Sequence, residues 1–247
     1  MISSILGFLA AAWGVLMFVI TMLIFLPPIW LSGFQDEPAR TEALIRLART
    51  WMSVFFLLSG IRLRILGKDK FKKGQAYIVV SNHNSMMDVP LTSPGIPGAN
   101  KTIAKAEMAK IPLFGIIYRR GSILVNRKSD QSRRDSFQKM KDVLAMGMHM
   151  CIYPEGTRNR TGRPLKEFHD GAFKLALDTA KPIIPCIIFG TKRMLPSDRG
   201  FYFRPGRLEM HFLDPVEAYP GEAVEELKKR VFDIMWEHYE TREKDFR

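Results

Sequence analysis

The chain has 247 residues, 47% of them apolar and 25% charged, which excludes a disordered segment and leaves room for one large domain with an appendage. Its formal net charge is +12, and the first charged residue is Asp36, so the body is strongly basic and calls for an anionic partner. Cys151 and Cys186 are the only cysteines, each in an apolar strand-like run, which excludes a disulfide framework and a CxxC metal pattern.

In chain order, the first element runs from Ile5 to Leu26, apolar apart from Gly7, Gly14 and Thr21. That is long enough to cross ~30 Å of hydrocarbon as a helix. A cleaved signal would need a basic start and a small-residue cleavage site, and neither is present. Pro27-Pro28 ends the helix, and Trp30 and Phe34 suit an interface. From Ala39 to Gly60, Leu44, Leu47, Trp51, Phe55 and Leu58 recur at helical spacing, with Glu42, Arg46 and Arg49 off that stripe. Two geometries fit this pair: the first helix crosses the bilayer, or the two form a hairpin in one leaflet. Residues 1–60 are therefore set apart as a membrane-associated two-helix unit, and 61–247 as an α/β domain.

Ile61 to Leu66 alternates apolar residues with Arg62 and Arg64, which predicts an edge strand with a basic outer face. Strands follow near 77–80, 102–105, 122–126, 150–153, 183–188 and 207–213, and helices near 106–118, 130–147, 168–180 and 221–244. This alternation predicts a mostly parallel α/β sheet flanked by helices.

The chemistry is concentrated where strands end, which is where open α/β sheets gather ligands. The first strand exit reads Ser81-Asn82-His83-Asn84-Ser85-Met86-Met87-Asp88. A neutral imidazole can take a proton from a hydroxyl, and a carboxylate behind it fixes the tautomer and stabilises the imidazolium. Five residues on one helix is about 140° of rotation, so the pair works only if His83 precedes the helix and Asp88 opens it. The competing reading makes Ser85 an N-cap, with Asp88 as the acid at its third position. Gly121 to Arg127 reads as a strand delivering an arginine. Tyr153-Pro-Glu-Gly-Thr-Arg158 forces an irregular loop that holds Glu155 and Arg158, and arginine is the natural clamp for a phosphate. Pro185 interrupts an apolar strand, which predicts a bulge or strand end beside a site. The remaining histidines, His149, His169, His211 and His238, have no acidic partner at a motif spacing and read as structural, with His169-Asp170-Gly171 fitting a helix start. No metal site is indicated.

Taken together, Asn82-His83-x4-Asp88, Gly121-x5-Arg127, Glu155-Gly156-Thr157-Arg158 and the Pro185 strand resemble, in order and spacing, the four motifs of the glycerolipid acyltransferases. The stretch 103–115 is similar to the segment that family carries between its first two motifs, and 204–216 to its closing strand. Size and layout are most similar to the bacterial 1-acylglycerol-3-phosphate acyltransferases. The departures are Asn84 where glutamine is frequent, Leu124-Val125 where Phe-Ile is typical, and Asn159 where serine is common.

The resemblance implies that His83, oriented by Asp88, deprotonates the 2-hydroxyl of lysophosphatidic acid for direct attack on acyl-CoA or acyl-carrier protein, without a cofactor. The alternatives are another acceptor (glycerol 3-phosphate, a lysophospholipid or an amino-acid lipid) or a non-enzymatic membrane or nucleic-acid binding module. Backbone N–H groups at the start of the helix after His83 are the expected oxyanion donors. Arg127, Arg158 and Lys105 would hold the acceptor's phosphate, while Glu155 would orient its loop or touch the glycerol. Asn82, Gly121 and Pro185 would be structural at the site. The implied location is the cytoplasmic face of a bacterial inner membrane. The basic stretches 127–134 and 192–207, the latter with Phe201, Tyr202 and Phe203 interleaved, suit an anionic lipid surface or an acidic carrier better than nucleic acid.

Overall fold

The computed structural model describes residues 2–196 and 198–246. Seven strands form one sheet in the order β1-β7-β6-β2-β5-β3-β4. They are β1 (Arg62–Leu66), β2 (Ile78–Ser81), β3 (Asn100–Lys105), β4 (Ser122–Val125), β5 (His149–Ile152), β6 (Ile183–Phe189) and β7 (Arg207–Phe212). Every neighbouring pair is parallel except β6 and β7. The sheet is thus mostly parallel, with the β1–β7 pair reversed at one end. Strand β1 is the edge the sequence predicts, and Arg62 and Arg64 are exposed on it.

Helices cover both faces. On one lie α5 (Asp130–Ala145), α6 (Gly171–Thr179) and α8 (Val224–Glu243), packed on Ile78, Val80, Met150 and Ile187. On the other lie α1 (Ile2–Leu31), α2 (Ala39–Leu58), α3 (Asp88–Gly95) and α4 (Phe114–Gly121), over Val79, Ile184, Leu208 and Met210. A one-turn helix, α7 (Thr191–Met194), follows β6. Fully buried on both sides, β2, β5 and β6 read as continuous apolar runs, as central parallel strands do.

The expected stripe of α2 forms as far as Phe55, with Leu47 partly buried and Leu58 exposed instead. Leu44, Trp51 and Phe55 are buried, with Met52 and Phe56, and join the core beneath the sheet. Helix α1 lies along α2: Trp13 Nε1 donates to Leu58 O at 2.8 Å, and Trp51 Nε1 donates to Thr21 Oγ1 at 2.9 Å. Pro27 and Pro28 lie inside α1 rather than ending it. Both ends of α1 dock on the α/β domain. Near its start Gly7 O accepts from Phe203 N, and the Tyr202 ring fills the space a Cβ on Gly7 would need. Near its end Arg120 donates to Ile29 O and Trp30 O. The opposite face of α1, including Ile5, Leu6, Leu9, Leu16, Val19 and Leu23, is uncovered.

Three local expectations change. The helix expected over 106–118 divides into a 3-10 turn at Ala106–Lys110 and α4, because Pro112 cannot donate and restricts the residue before it. Gly121 closes α4 instead of opening a strand, and a Cβ there would lie 3.2 Å from Leu44 of α2. Pro185 sits within β6, in register with Val80 and so three residues before His83, rather than beside the site. Its carbonyl accepts from Leu213 N, in the gap where the neighbouring chain leaves the ladder between Phe212 and the bridge at Val216. The missing N–H therefore faces a point where no regular ladder runs.

Candidate active site

Each parallel strand delivers its polar loop to the same sheet edge. Strand β2 delivers Asn82 and His83, β5 delivers Tyr153 to Arg158, β3 ends on Lys105, and Arg127 lies two residues beyond β4. With strands ~4.8 Å apart, the β3 exit is ~10 Å and the β4 exit ~14 Å from that of β2. Long cationic side chains can close much of that gap.

The buried Asn82 side chain locks the β2 exit to β6. Its Nδ2 donates to Ile188 O at 3.1 Å and its Oδ1 accepts from Ile188 N at 2.7 Å. The turn that follows puts His83 ahead of α3 and Asp88 at its first residue, the arrangement the pair requires. His83 Nδ1 lies 2.9 Å from Asp88 Oδ2. The same oxygen accepts from Asn84 N at 2.6 Å and Ser85 N at 2.7 Å, so a fully buried carboxylate is fixed by three donors. Its Oδ1 is buried with no hydrogen-bond partner among the described residues.

These contacts correct two expectations. Asn84 and Ser85 N–H groups are spent on Asp88 and do not serve as oxyanion donors. Ser85 is not the N-cap: its hydroxyl accepts from Met87 N and donates to Leu195 O, and the helix begins at Asp88.

Two further supports hold the imidazole. The Tyr153 ring stacks on it, with centroids 4.5 Å apart. The Tyr153 hydroxyl donates to Thr92 Oγ1 at 2.9 Å, and Thr92 donates to Asp88 O at 2.6 Å, closing a ring of contacts around the pair. Burial above all pushes the Tyr153 phenol well up, so it stays a neutral donor. Beneath the site Cys151 and Cys186 are buried free thiols, and burial pushes Cys151 up to about 12, far from a reactive thiolate. His83 Nε2, in contrast, has no hydrogen bond to a described residue and is the ring's unoccupied basic position.

The Glu155 carboxylate is buried and points inward, away from solvent. Oε1 accepts from His83 N at 2.8 Å and Oε2 from Lys166 N at 3.1 Å. Asn159 N donates to His83 O at 2.6 Å, so the β5 loop grips both sides of the His83 backbone. Burial raises Glu155 to about 7. It is an organising residue of the loop.

Gly156 has φ +67, and a Cβ there would lie 2.8 Å from the His169 ring, so conformation and space both demand glycine. Arg127 reaches across from the β4 exit and donates to Gly156 O at 2.5 Å, which brings the second and third motifs together. Thr157 Oγ1 accepts from Lys166 Nζ at 3.0 Å. Arg158 is half-buried and makes no hydrogen bond or ion pair with a described residue, and Lys105 is exposed at the same edge. The stretch 156–166 carries Arg158, Arg160, Arg163 and Lys166 and no acid, so this rim is uniformly positive.

His169 belongs beside the site, which its helix-start reading did not suggest. The only signal was its place 13 residues after Gly156 in a chain segment that must return to the same edge. His149 is structural: its Nδ1 accepts from Tyr77 N at 3.0 Å, and burial lowers it to about 4. His211 does have an acidic partner. Its Nε2 lies 2.7 Å from Glu209 and its Nδ1 2.9 Å from His238. Residues two apart on a strand share a face, so Glu209-x-His211 was a readable signal.

A family model described as Acyltransferase matches residues 62–189. The 1-acyl-sn-glycerol-3-phosphate acyltransferase alpha of Mus musculus is 32% identical over 166 residues, covering 65% of this chain and 57% of that protein. Its Bos taurus counterpart is 33% identical over 187 residues, covering 70% of this chain and 61% of that protein. The chain thus spans less than two thirds of either relative. The crystal structure of the 1-acyl-sn-glycerophosphate acyltransferase PlsC from Thermotoga maritima has the same fold, with a TM-score of 0.82 at 23% identity over 97% of both chains. The family model takes in the His83–Asp88 pair, Arg127 and the 155–158 loop and covers more than half of the sequence, and the chain belongs to the acyltransferase family.

Proposed function

We propose that this chain transfers an acyl group from acyl-CoA or acyl-carrier protein to the 2-hydroxyl of lysophosphatidic acid, giving phosphatidic acid. The observation that carries the reading is the His83–Asp88 pair, with Nδ1 engaged and Nε2 unbonded, on the edge that also bears Arg127 and Arg158. The relatives' names supply the acceptor: both are 1-acyl-sn-glycerol-3-phosphate acyltransferases.

In this reading Nε2 takes the hydroxyl proton as the oxygen attacks the thioester carbonyl. Asp88 stabilises the imidazolium that forms. The tetrahedral intermediate collapses by breaking its C–S bond, and the imidazolium returns the proton to the departing thiolate. The enzyme ends unchanged, so no resident cofactor enters the cycle. Arg158, Arg127 and Lys105 hold the acceptor's phosphate, with Arg158 free to turn its forked donors on it.

The acceptor is a membrane lipid, and the uncovered apolar face of α1 suits a bilayer. Docked at both ends on the domain, α1 lies along it, which favours a hairpin in one leaflet over a span. The cytoplasmic leaflet is the proposed side, where both soluble donors would be met.

The test is transfer of labelled acyl groups to lysophosphatidic acid, glycerol 3-phosphate and lysophosphatidylcholine, offered in parallel in detergent. Phosphatidic acid from the first alone is the expected result. Transfer to another acceptor would discard this substrate, and transfer to none would discard the reading.

A further inference from the structure

We propose that a groove at the β1–β7 end of the sheet binds the phosphate of an anionic phospholipid, separately from the reacting acceptor. The groove, about 510 Å³, is lined by Gly60, Arg62, Arg64, Pro205 and Arg207 among others. Three strand spacings, ~14 Å, separate β1 from β2, so the groove lies at the far end of the sheet from Arg127 and Arg158.

Its chemistry suits a phosphate. None of its lining residues is acidic. Buried Glu209 lies behind it, accepting from Arg207 Nε at 2.9 Å and standing 3.8 Å from Arg64, which fixes those two side chains from within. The Arg62 side chain makes no hydrogen bond or ion pair with a described residue, while its backbone N donates to Gly206 O and holds the rim in place. The end of α2 would repel an anion if its carbonyls were free. They are taken: Phe55 O by Ser59 N, Phe56 O by Ile61 N, Leu57 O by Gly60 N, and Leu58 O by Trp13 Nε1.

The surroundings suit a ligand with an apolar tail. Leu57, 80% exposed, and Leu58 immediately precede the groove. Phe201 is 53% exposed and packs its ring 5.2 Å from that of Phe8 of α1, and Trp13 of the same helix donates to Leu58 O, two residues before Gly60 of the groove. A soluble phosphate would use the arginines and leave this apolar border idle. A membrane phospholipid uses both, with its chains beside Leu57 and Phe201 and its phosphate among the guanidiniums.

This inference rests on the membrane-bound reading above, and the test separates the two. The whole protein, purified in detergent, is mixed with vesicles of phosphatidylcholine alone or with added phosphatidylglycerol, and binding is read by flotation. The native chain should prefer the anionic vesicles. Arg62→Gln with Arg64→Gln should lower that preference by about fivefold for each arginine, whereas Arg62→Lys keeps it. Arg133→Gln with Arg134→Gln removes the same charge from α5 and should leave the preference intact. Excess inorganic phosphate, at matched ionic strength, should not displace the protein. An unchanged preference in the groove variants, an equal loss in the α5 control, or displacement by inorganic phosphate overturns the lipid site. Equal native binding to both vesicles overturns this site alone, and binding to neither overturns the membrane-bound reading as well.

Discussion

The backbone N–H of His83 donates to Glu155 Oε1 at 2.8 Å, so the residue proposed as the base hangs from a buried acid on the loop of the adjacent strand. That carboxyl has a raised value of about 7 against 4.5 for a free glutamate, because burial penalises its charge. Below about 4.5 it is neutral in folded and unfolded chains alike. Between the two values only the folded chain holds the proton. The stability it contributes is thus full below 4.5 and lost as pH rises through 7. His149, lowered to about 4, contributes the opposite slope over part of that range, so the readable quantity is the difference between native and variant. Glu155→Gln should remove a falling contribution of order 1–3 kcal/mol between about pH 5 and about pH 8, measured by thermal unfolding. It also turns a donor toward His83 N or Lys166 N, so it should cost stability throughout and slow turnover.

Asp88→Asn keeps an acceptor for Asn84 and Ser85 but removes the charge behind His83. Turnover should fall by about 10³- to 10⁴-fold, with KM for the acceptor nearly unchanged. Steady-state kinetics on folded variant protein reads this. A loss confined to KM would show that Asp88 shapes binding rather than proton transfer.

Arg158 and Arg127 differ in what else they hold. Arg158 has no partner among the described residues, so Arg158→Gln should raise KM for a phosphate-bearing acceptor by about 10- to 100-fold, from the loss of ~1.5–3 kcal/mol of charged hydrogen bonding. Arg127 also anchors Gly156 O, so Arg127→Gln should raise KM and lower kcat together.

Gly156→Ala meets two obstacles, a φ of +67 and the His169 ring. It should destabilise the protein by about 1–3 kcal/mol, seen as a lower unfolding midpoint. Adding His169→Ala should recover part of that loss but not the backbone strain.

Much of this site is legible in the sequence because its residues sit at strand exits. The β2 run ends at Ser81, His83 follows, and Asp88 opens the helix. The same logic placed Arg127 and the 155–158 loop on one edge. What escaped depends on partners far apart in the chain. The grip of Glu155 on His83 and the Tyr153–Thr92 contact span 72 and 61 residues and carry no periodic mark. The fate of the Asn84 and Ser85 N–H groups depends on how one carboxylate oxygen is shared, which spacing cannot show. Docking of both ends of α1 was hidden because its apolar run reads alike whether it faces lipid or protein. Pro112 and Glu209-x-His211, in contrast, are visible in the sequence.

The proposed function turns on direct transfer, with His83 as the base and no acyl-enzyme. The most direct measurement is rapid-quench mass analysis of the protein with labelled acyl donor, with and without lysophosphatidic acid, for the native chain and His83→Ala. The expected result is no acylated protein under any condition, and phosphatidic acid only from the native chain. An acyl adduct on the protein that is consumed when acceptor is added, or undiminished product from His83→Ala, would contradict it.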